Sequence, residues 1–357
     1  MKSMDKIVVY GNFMLSKPGF GGQITKTRSV FNCLIEKYGK ENVIMFNMEK
    51  WKKKPFSTLH KLTLHLKKYK HFVVLPGDNN LKLLLILLKK YIIKYKVHVY
   101  YMVVGGWLYN YLKNKKKKIE VISCFSGIFV ETVELMNNLK SIGLNNVFYS
   151  PVFSLRKPIT EENLTQSINY LKAECKLRFC TFSRVLKEKG ITDAIDAIVK
   201  ANNRDQACSL DIYGAVDKRY KKEFTELLAK HKRYVSYKGF IEDNNVIETL
   251  SKYHSMIFAT YYYGEGFPAT LLEANMAGLP VLASKWKYNG EIVHDGVTGY
   301  LFEPKNIDSI VDCILKVANS SSLYQMRYSS LKNASNFTPE KALQPLYNCI
   351  SENLYEK

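Results

Sequence analysis

The chain has 357 residues, of which 46% are hydrophobic and 24% charged, and its formal net charge is +21. This length suits two domains with apolar cores. Seven scattered cysteines without a CxxC pair indicate reduced thiols rather than a disulfide framework or a zinc site. The most apolar run, Leu81–Leu88, is far shorter than the roughly 20 residues that cross a membrane, and the amino terminus lacks the apolar core of a signal peptide. We therefore expect a reduced, cytoplasmic protein.

The positive charge lies almost wholly in the first half. Residues 1–150 contain 26 Lys and Arg against 8 Asp and Glu, a net of +18, whereas residues 151–357 have a net of +3. This asymmetry predicts that the first half faces an anionic partner. A generally lysine-rich composition is the alternative, although it does not explain the balanced second half. The basic clusters are Lys52–Lys54, Lys67–Lys70, Lys89–Lys96 and Lys113–Lys118.

Strands alternate with helices over the first 150 residues, which predicts a parallel, doubly wound sheet. The first strand is followed by a loop with three glycines and no G-x-G-x-x-G, so a dinucleotide site is not indicated. The predicted strands are Ile7–Tyr10, Val43–Phe46, Phe72–Leu75, Val97–Val104 and Val121–Cys124, and the predicted helices are 23–37, Leu81–Tyr95 and Phe129–Ile142.

A polar run, Arg156–Gln166, is interpreted as an irregular linker to a second domain. Strands and helices alternate again beyond it. The predicted strands are Lys176–Ser183, Leu210–Gly214, Val235–Phe240, Ser255–Thr260 and Val281–Ser284, and the predicted helices are Ile191–Ala201, 268–277, Ile307–Ala318 and Thr338–Leu354.

The stretch GEGFPATLLEANMAGLPVLAS, beginning at residue 264, carries the strongest chemical signal. Glu265 sits in a glycine turn at the carboxyl end of a buried strand, and Pro268 suits a helix start. Gly278-Leu-Pro280 is a helix stop signal. Unpaired amides at a helix start suit a phosphate, and two carboxylates, Glu265 and Glu273, can accept hydrogen bonds from sugar hydroxyls on either side of it. A nucleotide-sugar fits this order, although an ordinary βαβ unit with two surface glutamates is the alternative.

Glu265 and Glu273, with GEGFP before and AGLPVLAS after, resemble the signature of the retaining GT-B glycosyltransferases of family 4. This resemblance implies an α/β fold of two Rossmann-like, doubly wound domains that face a cleft, with a C-terminal helix crossing back to the first domain. The implied boundaries are 1–155 for a basic acceptor domain, 156–335 for a nucleotide-sugar donor domain and 336–357 for the crossover helix.

The resemblance also implies roles for particular residues. Glu265 would contact the donor sugar and Glu273 the ribose. Ser183-Arg184 and Glu188-Lys189-Gly190 resemble the family's G-R-(x)n-E-K-G segment, with Ser in place of the first Gly, so Arg184 and Lys189 would neutralise the donor diphosphate. The other implied donor-binding residues are Gly266, Phe267, Ala269 and Thr270 through their amides, Gly239, Phe240 and Ile241 at the base, and Gly21 and Gly22 in the first glycine loop.

Two departures from the family pattern limit this inference. Pro268 replaces a frequent Gly and removes one amide. Gly105 and Gly106 stand where many members carry a functional His, so a His-assisted mechanism is not carried over. A flexible glycine turn remains the alternative for Gly21 and Gly22.

The resemblance implies an enzyme that transfers a sugar with retention from a nucleotide-sugar, with UDP as the commonest nucleotide, to a lipid-linked or polysaccharide acceptor of a bacterial surface glycan. No D-x-D cluster occurs near the site, so we expect no metal and no further cofactor. The basic domain is expected to dock on the anionic inner face of the plasma membrane. Nothing resembles a nucleic-acid-binding motif.

Two alternatives stay open for the function. A non-catalytic partner subunit of a glycosyltransferase would be expected to lose Glu265, Arg184 or Lys189, and all three are present. A GT-B enzyme of another reaction, such as an epimerase or a phosphorylase, is disfavoured by the spacing of Glu265 and Glu273.

Overall fold

The computed structural model describes residues 5–15, 22–49, 51, 53–204, 207–319 and 322–354. The chain divides into two compact units: unit 1 comprises Met1–Phe153 with Pro339–Lys357, and unit 2 comprises Ser154–Thr338.

In the described part of the chain, unit 1 contains a parallel six-stranded sheet in the order β2-β1-β3-β4-β5-β6. Apolar runs such as IVVY and HFVV form its central strands, because helices cover both faces of the sheet and every strand position is then buried. The strands are β1 Ile7–Gly11, β2 Val43–Asn47, β3 His71–Val74, β4 His98–Met102, β5 Gly127–Val130 and β6 Val147–Tyr149.

Two sets of helices cover this sheet. The helices of unit 1 are α1 Gly22–Tyr38, α2 Pro55–Lys68, α3 Asp78–Tyr95, α4 Leu108–Leu112, α5 Lys116–Ser123, α6 Val133–Ser141 and α14 Pro339–Leu354. One hydrophobic core lies beneath α2 to α6, and a second lies beneath α1 and α14. Ala342, Leu343 and Leu346 of α14 are fully buried in the second core, so the carboxyl-terminal helix belongs to unit 1.

Two predictions in unit 1 were wrong. The predicted strand Val121–Cys124 lies at the end of helix α5, and the true strand is β5, three residues further on. The helix predicted from Phe129 begins only at Val133, where the Thr132 side chain accepts a hydrogen bond from the Leu135 amide at 3.2 Å and caps the helix.

In the described part of the chain, unit 2 contains a second parallel six-stranded sheet, in the order β12-β11-β10-β7-β8-β9. Its strands are β7 Leu177–Phe182, β8 Cys208–Tyr213, β9 Val235–Gly239, β10 Ser255–Phe258, β11 Val281–Ser284 and β12 Gly299–Phe302. Its helices are α7 Glu161–Lys172, α8 Ile191–Asn202, α9 Lys221–Lys230, α10 Val246–Ser251, α11 Ala269–Met276, α12 Ile307–Asn319 and α13 Leu323–Ala334.

The predicted irregular run Arg156–Gln166 was also wrong in its second part. Helix α7 begins at Glu161, with the Thr160 side chain accepting from the Asn163 amide at 3.2 Å. Leu164, Ile168 and Leu171 form its buried face at helical spacing.

A buried arginine links three helices of unit 2. Arg327 of α13 is fully buried, and it donates to the carbonyls of Ser251 and Tyr253 at 2.7 and 2.5 Å and to Ser167 Oγ at 3.2 Å. Burial lowers the pKa of its guanidinium to about 10. A cation at the carboxyl end of α10 satisfies carbonyls that the helix leaves unpaired, and this contact holds α10 in place.

Candidate active site

The strand order of unit 2 reverses between β7 and β10, which are neighbours in the sheet although β8 and β9 separate them in sequence. Open parallel sheets bind their ligands at the carboxyl ends of strands, where the order reverses. The segment after β7 carries Arg184 and Lys189, and the segment after β10 carries Glu265. The topology therefore brings the three predicted catalytic residues to one edge of the sheet.

Glu265 and Lys189 form a buried ion pair at this edge. Lys189 Nζ lies 2.6 Å from Glu265 Oε2, and each side chain is only 10% exposed. The same carboxylate oxygen accepts the Thr260 hydroxyl at 2.8 Å. An ion pair with a hydrogen bond of this kind holds the carboxylate in one orientation.

Gly190 makes this approach of Lys189 possible. Lys189 ends a short 3-10 helix, Lys187–Lys189, and Gly190 follows in the left-handed region with φ of 69° before α8 begins. A Cβ atom at Gly190 would lie 2.1 Å from the carbonyl oxygen of Ala259. The backbone after β7 can therefore pass the end of β10 only without a side chain at this position.

One aromatic ring lies beside both predicted cations. The Arg184 guanidinium lies 5.4 Å from the centre of the Tyr262 ring, and Lys189 Nζ lies 5.5 Å from the same ring. The Lys189 side chain is 10% exposed, whereas Arg184 is exposed. The site thus presents one fixed cation beside Glu265 and one exposed cation at its edge, which suits a diphosphate.

Helix α11 begins beside this pair, with Pro268 as its N-cap. The Thr270 hydroxyl donates to the Phe182 carbonyl at 2.9 Å, which fixes the start of α11 against the end of β7. Phe267 is buried against the Phe337 ring. The amides of Ala269 and Thr270 belong to the first turn, where an α-helix offers its N–H groups no internal acceptor. The predicted contact of these amides and of Gly266 with the donor stays a prediction.

Glu273, in the second turn of α11, is 8% exposed. Arg156 Nη1 donates to its Oε1 atom. Burial raises the pKa of the Glu273 carboxyl to about 7, although Arg156 acts in the opposite direction. A carboxylate in this position can accept hydrogen bonds from a diol such as a ribose.

The residues predicted to recognise the base lie at the end of β9, the edge strand of the sheet, and directly after it. Gly239 has a φ of 75°, and the Phe240 ring is 70% exposed beside it, while Ile241 is half-buried. Arg156 also reaches this segment, because Nη2 lies 2.9 Å from Asp243 Oδ1 and Nε lies 3.2 Å from the Asp243 carbonyl oxygen. One arginine therefore connects Glu273 with the segment that follows the predicted base site.

The first glycine loop belongs to unit 1. Gly22 begins α1, whereas Gly21 lies outside the described residues. At the carboxyl edge of the same sheet, Lys26 Nζ contacts Glu131 Oε1 at 2.7 Å and the Val103 carbonyl at 2.9 Å. Glu131 Oε2 accepts the Gly105 amide at 3.0 Å, so a buried ion pair holds the loop after β4.

Sequence reasoning missed four of these polar residues. Glu131 follows directly on an apolar strand, a position that marks ligand crevices in parallel sheets, and this signal could have identified it. Lys26, Arg156 and Asp243 carry no comparable signal, since their partners lie 77 to 117 residues away along the chain.

Two features of the described residues concern metals and membranes. Among these residues, no cluster of three His, Cys, Asp or Glu side chains has an arrangement that could hold a metal ion. In the same part of the chain, no helix combines the length and the apolar character that a membrane span requires.

Residues 165–334, most of unit 2, match the family model described as Glycosyl transferases group 1. The UDP-N-acetylglucosamine--peptide N-acetylglucosaminyltransferase GtfA subunit of Streptococcus pneumoniae is 30% identical over 187 residues, which are 49% of this chain and 36% of that protein. The poly(glycerol-phosphate) alpha-glucosyltransferase of Bacillus subtilis is 25% identical over 203 residues, 56% of this chain and 28% of that protein. The chain thus spans only about a third of the length of these curated relatives.

Among solved structures, Anabaena Alr3699/HepE in complex with UDP is similar with a TM-score of 0.71 and 15% identity, covering 97% of this chain and 100% of that chain. A likeness at this identity concerns the fold. Together with the two parallel six-stranded sheets and their flanking helices, it confirms the predicted fold class: two Rossmann-like units of the GT-B type.

Proposed function

We propose that this protein is a retaining glycosyltransferase that uses a UDP-sugar. The observation that carries the proposal is the arrangement at the switch point of unit 2, where Lys189, Glu265 and the start of α11 meet. The group 1 glycosyltransferase match over the same unit supports it, as does the activity named for the pneumococcal relative. UDP is proposed as the nucleotide because a UDP-sugar is named for that relative and UDP is bound in the Anabaena structure.

The proposed reaction breaks the bond between the anomeric carbon and the diphosphate oxygen, and the electron pair leaves with the UDP. Lys189, Arg184 and the first-turn amides of α11 stabilise the developing negative charge. The acceptor hydroxyl bonds to the anomeric carbon on the same face, and its proton passes to the departing phosphate oxygen. Glu265 orients the sugar and opposes the positive charge at the anomeric centre. No metal ion takes part in this scheme.

The acceptor is proposed to be a lipid-linked or polysaccharide glycan of the bacterial surface, reached while unit 1 rests on an anionic membrane. Helices α2, α3 and α5 cover one face of the unit 1 sheet and carry ten lysines. Phe56 on α2 is 87% exposed and Ile93 on α3 is 68% exposed. Exposed apolar side chains among lysines suit an interface with anionic lipids.

A non-catalytic partner subunit is the competing function. Such a subunit has no need to hold a lysine and a glutamate in a buried pair that costs desolvation energy. The Lys189–Glu265 pair therefore favours the catalytic function over the partner.

We expect UDP to raise the melting temperature of the protein more than ADP or GDP, since a ligand at 100 times its Kd adds about 2.7 kcal/mol to the free energy of unfolding. Glu273→Ala should weaken UDP binding, because the ribose loses its acceptor. Glu248→Ala is the control, since Glu248 is an exposed residue paired with Lys252. UDP release from UDP-glucose and UDP-N-acetylglucosamine is then measured in excess EDTA, where activity should persist because the proposed reaction uses no metal ion. No stabilisation by any nucleotide would favour the partner subunit.

Binding to anionic vesicles is expected to depend on the lysines of α5. Lys116 and Lys117 are exposed in its first turn, and each lysine near an anionic surface contributes about 1 kcal/mol. The Lys116→Gln, Lys117→Gln variant should therefore bind phosphatidylglycerol vesicles roughly 30-fold more weakly. Lys221→Gln with Lys222→Gln in the first turn of α9 is the matched control in unit 2. Equal sedimentation of both variants with the vesicles would argue against the proposed membrane face.

A further inference from the structure

Arg156 makes a three-point contact that the proposed reaction does not use. It lies at a bend before α7, and its guanidinium faces two acidic residues from different parts of unit 2. Nη1 donates to Glu273 on α11, while Nη2 and Nε donate to the side chain and backbone of Asp243 after β9. The planar fork of an arginine fixes both partners relative to each other, which a lysine cannot do.

We propose that Arg156 is a positioning residue of the nucleotide pocket, which holds Glu273 and the Asp243 segment in the arrangement that the ribose and the base require. This inference rests on the proposed function, because it assigns Glu273 to the ribose. Arg156 itself need not touch the nucleotide. It occupies Oε1 of Glu273, which leaves Oε2 for the ribose hydroxyls, and it anchors the segment two residues beyond Ile241.

The charge of Arg156 matters because Glu273 is buried. Its side chain is 11% exposed, whereas that of Arg156 is 29% exposed and that of Asp243 is 82% exposed. Burial and the negative charge of Asp243 both raise the pKa of Glu273, whereas Arg156 lowers it. The resulting pKa is about 7. Without Arg156 the carboxyl would be protonated at neutral pH and would lose acceptor capacity towards a diol.

The neighbouring elements carry other charges, but these are engaged elsewhere. Helices α10 and α13 pack against α11. Glu248 of α10 pairs with Lys252 at 2.7 Å, and Arg327 of α13 donates to the carbonyls of Ser251 and Tyr253. Among the described residues, Arg156 is the cation whose charge and hydrogen bond lower the pKa of Glu273.

The test measures the Kd of UDP by calorimetry between pH 6 and pH 9 for the full chain and for Arg156→Gln. We expect wild-type affinity to rise with pH as Glu273 ionises near pH 7. Arg156→Gln should bind UDP at least 10-fold more weakly than the wild type at pH 7. The midpoint of the rise of its UDP affinity with pH should lie at a higher pH, so that the difference between the two Kd values narrows towards pH 9. Arg156→Lys keeps the positive charge, so the midpoint of its pH profile should stay near that of the wild type. Its affinity for UDP should nevertheless be lower than that of the wild type, because the lysine has no planar guanidinium to hold both Glu273 and Asp243.

Three controls separate this effect from a structural one. Glu273→Gln cannot ionise at this position, so any pH dependence that it retains reports the titration of UDP itself. Adding Arg156→Gln to Glu273→Gln should not change this pH profile. Arg204→Gln removes an exposed arginine that also pairs with an aspartate, Asp308, and should leave UDP binding unchanged. Inorganic pyrophosphate, which lacks ribose and base, should bind wild type and Arg156→Gln equally.

The outcomes distinguish this inference from the proposed function. If the wild type binds UDP and Arg156→Gln shows the same Kd and the same pH profile, Arg156 has no positioning role. If Arg156→Gln weakens pyrophosphate as much as UDP, its effect is a general loss of structure and the inference is also wrong. If the wild type binds no UDP at any pH, the proposed function itself fails and this inference fails with it.

Discussion

Lys189→Met is expected to lower sugar transfer by at least about 100-fold, because it removes a fixed cation from the departing diphosphate. It should also lower the free energy of unfolding by roughly 3–5 kcal/mol, the usual cost of leaving one member of a buried ion pair alone. This cost arises because Glu265 would stay buried after Lys189 is removed, and its Oε2 atom would keep the hydrogen bond from the Thr260 hydroxyl. Urea denaturation and UDP release from a UDP-sugar measure the two effects.

The matched control for this change is Lys187→Met, two residues earlier in the same 3-10 helix. Lys187 pairs with Glu223 at 2.9 Å, but its side chain is 57% exposed, and exposed pairs of this kind add little to stability because solvent screens them. Combining Lys189→Met with Glu265→Gln should recover much of the stability and none of the activity. A Lys189→Met enzyme with wild-type turnover would remove Lys189 from the mechanism.

Gly190→Ala is expected to lower both the stability of the protein and its affinity for UDP strongly. A left-handed φ alone costs a residue with a Cβ about 1–2 kcal/mol. At Gly190 the new Cβ would also lie 2.1 Å from the backbone oxygen of Ala259, and neither backbone can move without displacing Lys189 or the end of β10. We therefore expect a loss of more than about 4 kcal/mol together with loss of UDP binding.

Gly296→Ala separates the two contributions. Gly296 has a φ of 75°, close to the 69° of Gly190, and a Cβ there would meet nothing within 4 Å. Gly296→Ala should therefore lower the free energy of unfolding by the conformational cost alone, about 1–2 kcal/mol, and should leave the affinity for UDP unchanged. Similar melting temperatures for the two variants would mean that the end of β10 yields to the added methyl group.

The centre of the site was predictable from sequence because local signals agree there. A buried apolar run, a glycine turn, a helix-starting proline and a Gly-Leu-Pro stop bracket α11, and the structure places α11 at Ala269–Met276 and β11 at the predicted Val281–Ser284. The stop acts as expected, since Gly278 has a φ of 59° and the Leu279 amide returns to the Ala274 carbonyl at 2.8 Å.

The errors arose where local signals were ambiguous or were overlooked. Val121 and Ile122 are adjacent apolar residues that suit a strand, yet they form the buried edge of α5, because short apolar runs do not distinguish the two structures. Thr160 followed by two glutamates is a helix start signal within the segment taken as a linker.

The polar partners of the site could not be predicted because they depend on tertiary contact. Arg156 stands 117 residues from Glu273 and 87 from Asp243, and nothing in the surrounding residues indicates either partner. The role of Lys189 was inferred by resemblance, but its pairing with Glu265 appears only once the strand order places β7 beside β10.

The position of α14 has a consequence for how the protein is made. The core beneath α1 needs Ala342, Leu343 and Leu346, but 185 residues, Ser154–Thr338, are translated between the last strand of unit 1 and this helix. At about 5–20 residues per second, the ribosome takes roughly 10–40 s to supply it. During that time unit 2 can fold from a continuous segment, whereas one apolar face of the earlier unit stays open to water. The part synthesised first is thus completed last, and the nascent chain needs protection from aggregation during that interval.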